Sequence, residues 1–299
     1  MRVDPTYISS LVSALDGAQI REQQFSNQLA SGARINSIGD DPVSAGRNVL
    51  LLNQIQRDDA FSQTSSLVTG QLQVADSALG GVVSQLNQAI SLATSAINGT
   101  KNASDLKAIA DQLAGILGEV ESLANSNYQG QYIFAGGQTG TQPFSTSSAS
   151  SPQLTSYSGD SDVHYLETPN GQKIQLNVPG DQIFLGTNSV FGVLNKLIAD
   201  FSAGTVDSTQ AGQDTQALTS ALNYVSQQRV LIDNSITQLS NADGAITTER
   251  TQMAAAQTEL MQADLATVAT QLSLAKTQQT ALESVIVQLG SGSLFDKLQ

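Results

Sequence analysis

The chain reads as mainly α with a β-rich insert in its middle, and three observations carry that reading. Apolar residues recur at steps of three and four over long stretches towards both ends, the spacing of one face of a helix. Between about 131 and 190 the pattern changes to alternation broken by Gly and Asn-Gly turns. The composition is 5% aromatic, with no Trp and only 6 Pro in 299 residues. It favours long helices with small side chains on their seams over a core built around large rings.

The N-terminal segment places Ile8, Leu11, Leu15, Ala18, Glu22, Phe25, Leu29 and Gly32 on one heptad track. Gly32 ends it, as a glycine does where a helix must stop. A second track, Val68, Leu72, Ala75, Leu79, Val82, Leu86, Ala89, Ala93 and Ala96, is apolar throughout and closes on a turn at Asn98-Gly99. A shorter helix follows with Leu106, Ile109, Leu113, Ile116, Val120 and Leu123. The short link between these two predicts an antiparallel helical hairpin.

In the insert, Tyr132-Ile133-Phe134 reads as a strand ended by Gly136-Gly137, and a Ser/Thr/Gly-rich loop runs from about Gln138 to Ser161. Val163, Tyr165 and Glu167 then alternate towards Asn170-Gly171, with Ile174, Leu176 and Val178 beyond it. Asn-Gly between two alternating runs is a hairpin signal.

Helix returns with Val190, Phe191, Leu194, Leu197 and Phe201. Leu218, Val225, Ile232, Leu239, Ile246, Met253 and Leu260 then recur every seventh residue, with mixed partners: Leu222 and Ile236 apolar, Arg229, Asp243 and Arg250 polar. The seam shifts by one residue and restarts as Met261, Leu265, Val268, Leu272, Ala275, Gln279, Leu282, Ile286 and Leu289. One continuous helix over 213–289 would measure roughly 115 Å at ~1.5 Å per residue. Such a length demands partners, in the same chain or in other copies.

Charge and rare residues exclude several classes. The formal net charge is −13 and no Lys/Arg cluster is present, so nucleic acid, whose binders display a basic stripe, is not an expected partner. Without cysteine there is no disulfide, thiolate nucleophile or Cys-based metal site. With His164 the single histidine, a multi-His metal site is excluded as well. No apolar run approaches the ~20 residues that span a bilayer, and Met1 to Pro5 do not begin a leader of the secretory type. The sequence therefore implies no membrane, no cofactor and no metal, and either a cytosolic protein or export without a cleaved signal.

The run Leu29-Ala30-Ser31-Gly32-Ala33-Arg34-Ile35-Asn36, followed by Asp40-Asp41-Pro42, is a helix stop, a charged turn and an acidic, Pro-started new helix. In that order, after an N-terminal heptad segment, it resembles the N-terminal signature of the bacterial flagellin family and its hook-associated relatives. Asn98-Gly99-Thr100 and Leu123-Ala124-Asn125 fall where that family has turns. Tyr132-Ile133-Phe134-Ala135-Gly136 with Pro143-Phe144, and the tail Ser293-Leu294-Phe295-Asp296-Lys297-Leu298, resemble the hook–filament junction branch of the family more than its filament subunits. The similarity covers about 1–144 and 210–299.

The resemblance implies a flagellin-like fold. Terminal segments 1–35 and 258–299 pair as a coiled coil, 36–130 and 191–257 form a helical rod, and 131–190 is an outer β-rich domain. It implies a structural subunit, not an enzyme, exported by the flagellar type III apparatus to the extracellular flagellum. The expected assembly interface is Ile8, Leu11, Leu15, Phe25, Leu29, Leu265, Val268, Leu272, Leu282, Ile286 and Leu289, and the family motif is Arg34, Ile35, Asn36, Asp40, Asp41 and Pro42. The implied partners are a ring of its own copies, a hook-side junction protein of the FlgK kind, flagellin, and an export chaperone of the FlgN type.

Other readings stand beside these. Asp40-Asp41 has the form of a carboxylate pair for acid–base work, but beside Pro42 it reads as a helix cap. His164 reads as a structural or surface residue, and Asp58-Asp59 as a solvent-facing pair. The terminal heptads also suit an ordinary bundle within one chain. The alternative functions are the filament subunit itself, and a surface- or glycan-binding module on a helical stalk.

Overall fold

The computed structural model describes residues 5–97, 101–147, 154–186 and 189–294. The expected turn at 98–100 and the tail from Phe295 onward lie outside the described residues. Six α-helices are present among them: α1 (Pro5–Ser31), α2 (Pro42–Ile97), α3 (Ala103–Ala124), α4 (Val190–Ser202), α5 (Ser208–Met261) and α6 (Leu265–Leu294). Three short antiparallel strand pairs lie between α3 and α4: β1 (Asn127–Tyr128) with β2 (Gln131–Tyr132), β3 (Phe144–Ser147) with β4 (Leu154–Tyr157), and β5 (Tyr165–Glu167) with β6 (Lys173–Gln175). A single π-helical turn, Asp181–Leu185, leads into α4.

The chain divides into two compact units, Met1–Arg57 with Thr248–Gln299, and Asp58–Thr247. In the first, α1 and α6 pack along each other. They run antiparallel, because the C-terminal end of α1 meets the start of α6 through an antiparallel bridge between Ala33 and Gln262.

The second unit holds the main core. All nine residues of the expected α2 seam are buried, and they share one cluster with α3, with Val190, Phe191, Leu194, Leu197 and Phe201 of α4, and with the α5 seam. Each helix start has a cap that satisfies otherwise unpaired N–H groups. Asn102 forms a capping box with Asp105 on α3, Ser189 accepts from Gly192 N–H on α4, and Asp207 accepts from Thr209 and Gln210 on α5.

On α5 the heptad residues Leu218, Val225, Ile232, Leu239 and Ile246 are buried as the spacing predicts. Their partners differ from expectation. Ala221, Gln228 and Ser235, three residues on, are buried, whereas Leu222 and Ile236, four residues on, only flank the core. Arg229 at a four-step position instead reaches α2 and pairs with Asp76 through two bonds of 2.8 and 3.1 Å. Gly80 leaves room there for the guanidinium, which lies 3.5 Å from where a Cβ would stand.

Several expectations for the insert are corrected. Only Gln131–Tyr132 is strand; Ile133 and Phe134 are buried in a turn. The predicted loop over 138–161 contains the β3–β4 hairpin. It is anchored by Phe144, whose ring meets Tyr157, Phe184 and Phe191 at centroid distances of 5.0–5.3 Å. In the β5–β6 hairpin the inward pair is Leu166 opposite Ile174, while Tyr165 is exposed. The Asn170-Gly171 turn forms as expected, with Gly171 at φ +81°.

Two asparagines do the work of missing strands. Asn125 bonds both the N–H and the C=O of Phe144 at 2.9 Å. Asn177 accepts from His164 N–H at 2.7 Å and donates to Asp162 O at 2.9 Å. His164 itself is an exposed side chain, so it is a surface residue. Asp58 is another correction, since it is fully buried on α2, not solvent-facing; spacings of three and seven residues to buried Phe61 and Ser65 place it on the buried face.

Leu86 is fully buried in this core, and Leu50 on α2 is 69% exposed. Leu86→Ala is expected to lower unfolding free energy by about 2–5 kcal/mol, and Leu50→Ala to change it by less than ~0.5 kcal/mol. Urea denaturation followed by circular dichroism measures both; equal effects would contradict the core as described.

Candidate functional site

The chemistry-bearing sequence motif lies in the first unit, where the 32–41 segment meets the gap between α5 and α6. Gly32 closes α1 with its N–H on Gln28 O and takes φ +69°, a conformation cheap only for glycine. The turned chain then runs against residues 260–263. Ala263 N–H donates to Gly32 O at 2.9 Å, and Arg34 N–H donates to Met261 O at 2.6 Å. The Arg34 guanidinium adds bonds from Nε and Nη2 to Leu260 O at 3.1 and 2.9 Å. Its Nη1 lies 3.3 Å from Asp41 Oδ2.

The last carbonyls of a helix have no successors to bond them. Arg34 supplies those partners at the end of α5, and as a cation it also suits the negative end of the helix dipole. Asp264 then starts α6, accepting from Ala266 and Thr267 N–H groups and from the Thr267 hydroxyl at 2.7 Å. The 213–289 stretch is therefore two helices, not the single continuous one whose length was considered from the sequence. The helix breaks at 262–264, at the residues where the seam changes phase, and both broken ends are capped.

The remaining motif residues support the same turn. Ile35 is buried. Asn36 and Ser37 N–H groups both bond Asp40 Oδ2 at 2.9 Å, and Asp41 Oδ1 caps α2 by accepting from Ser44 N–H. Pro42 opens α2, where its missing N–H costs nothing. Asp40 and Asp41 are thus turn and cap residues, not an acid–base pair. Hydrogen bonds to backbone N–H groups of Asn36 and Ser37 hold the Asp40 carboxyl below its usual range. Ser44 does the same for Asp41 and Thr267 for Asp264.

The helix pair that this turn ties together is thinly packed. Leu11, Leu15, Phe25, Leu272, Leu282, Ile286 and Leu289 are half-buried along the facing tracks, and only Ala18, Val268 and Ala275 among the apolar track residues are fully buried. Two expected track residues lie off it. Leu29 and Leu265 are 39% and 49% exposed. At the α1 end Gln28 takes the inward position and donates to Arg34 O at 2.8 Å, and at the α6 start Ala263 is buried instead. Ile8 is exposed too. Tyr7, Val12, Ile20, Leu274 and Val287 are further exposed apolar residues on the pair.

Sequence spacing missed the roles of Gln28 and Asp264. Gln28 is polar on an apolar track; Asp264 three residues before Thr267 is a recognisable cap signal. Among the described residues no group of three or more His, Asp or Glu is placed to hold a metal ion, and no helix is long and apolar enough to cross a membrane.

Residues 8–139 match the bacterial flagellin N-terminal helical region. The chain is 24% identical over 253 residues to flagellar hook-associated protein 3 of Escherichia coli, covering 77% of this chain and 78% of that protein. It is 26% identical over 247 residues to a flagellin of Listeria monocytogenes, covering 81% and 79%. The fold is similar to that of flagellar hook-associated protein 3 from Legionella pneumophila, with TM-score 0.62 at 15% identity over 71% of this chain and 98% of that one.

Carboxyls held below their ordinary range contribute stability that is present above their unfolded pKa and lost as pH falls through the folded one. For Asp40, Asp41 and Asp264 that loss lies below pH ~4. A triple Asn variant at these positions should melt earlier than the parent at pH 6, with the gap closing as pH falls below ~4. Thermal melts across that range measure it, and a gap independent of pH would contradict the assignment.

Proposed function

We propose that this chain, a member of the flagellin family, is the structural subunit that joins hook to filament in the bacterial flagellum, an extracellular appendage. The observation that carries the reading is the terminal unit, whose two helices come from opposite ends of the chain and bury little between them. Ile8, Leu29 and Leu265 remain exposed, and the track residues Leu272, Leu282 and Ile286 are only half covered. Apolar surface of that extent marks an interaction site, and in an assembly the same helices of neighbouring copies cover it. The similarity to hook-associated protein 3 across most of both chains and the junction-like 132–144 segment favour the junction over the filament. The partners proposed are copies of itself in a ring, a hook-side junction protein and flagellin. Export is by the flagellar type III apparatus.

The comparable similarity to flagellin keeps the filament subunit as the second reading, and a deletion separates the two. Under the junction reading, cells lacking the chain make flagellin and shed it into the medium; under the filament reading they make no filament protein to shed. Ile286→Asp in the restored chain should leave circular dichroism nearly unchanged and still fail to hold filaments. A charge on an apolar seam carries a desolvation cost of several kcal/mol, on the order of ~2–7, once neighbours enclose it. Global unfolding of that variant would place Ile286 in a core of the single chain instead.

Before export the C-terminal track needs cover, and the proposed partner is a flagellar export chaperone that takes α6 in an apolar groove. A chain truncated after Ala254 should lose pull-down of that chaperone, while modest salt should leave binding of the full chain largely intact. Equal binding by the truncated chain would remove α6 as the site.

A further inference from the structure

Beside the Arg34 turn, the first unit carries a recess of about 400 Å³ between α1 and the 35–41 segment. Gln23, Gln24 and Asn27 of α1 form one wall, Asn36, Ser37 and Asp40 the other, and exposed Ile20 the rim. The wall residues offer amide and hydroxyl oxygens around one carboxylate. That carboxylate is ionised, because two backbone N–H groups hold it, and no basic side chain of the described residues pairs with it. An acceptor-rich recess of this kind matches a guanidinium, which brings five donors and a fixed positive charge.

Among the arginines of the described part of this unit, two make no hydrogen bond or ion pair, Arg21 and Arg47. Arg34 is held by Leu260 and Asp41, Arg57 by Gln54, and Arg250 has partners of its own. Arg21 is exposed on α1, the helix that forms one wall, and adjoins the rim residue Ile20 of its own recess without pairing with Asp40. Arg47 on α2 is exposed and, among the described residues, makes no hydrogen bond or ion pair. Val43 and Leu50, at 67% and 69% exposure, lie on its face of the helix at four- and three-residue spacing. Its surroundings thus repeat those of the recess in complementary form: a cation between apolar residues, against an anion with an apolar rim.

We infer that Arg47 of one copy seats in this recess of the next copy, against Asp40, with Val43 and Leu50 lying on Ile20. The inference rests on the subunit reading above. The two patches differ, so the contact is heterologous: each copy offers both a free recess and a free Arg47. Contacts of that type propagate and close into a ring where the rotation allows it.

The chain has no cysteine, so introduced ones report directly. Chains carrying Asn27→Cys and Val43→Cys are expressed together, appendages are isolated, and thiols are joined by oxidation or a short linker. A mixed dimer is expected, and neither single-cysteine chain alone should give one. Charge variants supply a second readout. Arg47→Glu should lower incorporation about tenfold, as should Asn27→Lys, which puts an ammonium in the recess without touching the bonds of Asp40. The double variant Asn27→Lys/Arg47→Glu should recover. Normal incorporation of Arg47→Glu, or absence of the mixed dimer in appendages that do contain both chains, overturns the docking and leaves the subunit reading intact. A parent chain absent from appendages overturns both.

Discussion

The carbonyls of Leu260 and Met261 end a 54-residue helix with nothing of their own helix left to bond them, and Arg34 is what they bond. That one residue, placed 226 positions earlier in the chain, closes α5, and Asp41 beside it starts α2. Two helix ends and one helix start are therefore settled by one turn of eight to ten residues. If the turn is lost, the end of α5 loses its partners and the gap at 262–264 loses its reason to stay a gap. The pairing of α1 with α6 is too thin to fix the geometry by burial alone, since alanines and one valine supply its fully covered apolar contacts. Directional hydrogen bonds do there what a large core does elsewhere.

The second unit has the opposite balance. Its helices bury a continuous cluster, and its strands are two to four residues long. Strands so short cannot satisfy their own neighbourhoods. Side-chain amides make up the difference, with Asn125 bonding both backbone groups of Phe144 and Asn177 bridging His164 to Asp162. The rings of Phe134, Phe144, Phe184 and Phe191 then give this strand-poor region an apolar centre. An amide that replaces a strand is tolerant of little, because losing it leaves two backbone groups buried without partners.

These physical differences decide what the sequence made legible. The α2 track was readable because every third or fourth residue is apolar and all are buried; periodicity reports burial directly there. The break at 262–264 was visible only as a one-residue phase shift, since nothing local announces that a helix will be capped from residue 34. The β3–β4 hairpin was missed because its residues are Ser and Thr, whose composition reads as loop, while its anchor Phe144 acts through rings far along the chain. Asp58 was misread for a related reason: a charge on a helix is taken as outward unless its spacing from buried neighbours is checked. Of the site, the Arg34-to-Pro42 motif was recognisable in order and type. The direction in which the Arg34 side chain points was not, because its partner Leu260 is 226 positions away.

The charge of the chain is unevenly shared between the units. Of the 13 basic and 26 acidic residues, 8 and 10 belong to the terminal unit and 5 and 16 to the other. A surface that must lie close against copies of itself gains from near-neutrality, since repulsion between like charges is strongest where solvent is excluded. A surface that stays in water gains from net charge, which keeps the chain soluble and opposes random association. Under the proposed role, the division separates two demands on one molecule: staying dissolved as a monomer and packing tightly as a subunit. It also sets the meaning of the few charges the terminal unit does retain. In a nearly neutral surface an ionised Asp40 without a cation and an exposed Arg47 without an anion are each conspicuous. Each is the kind of group whose pairing across an interface selects one register of contact over its neighbours.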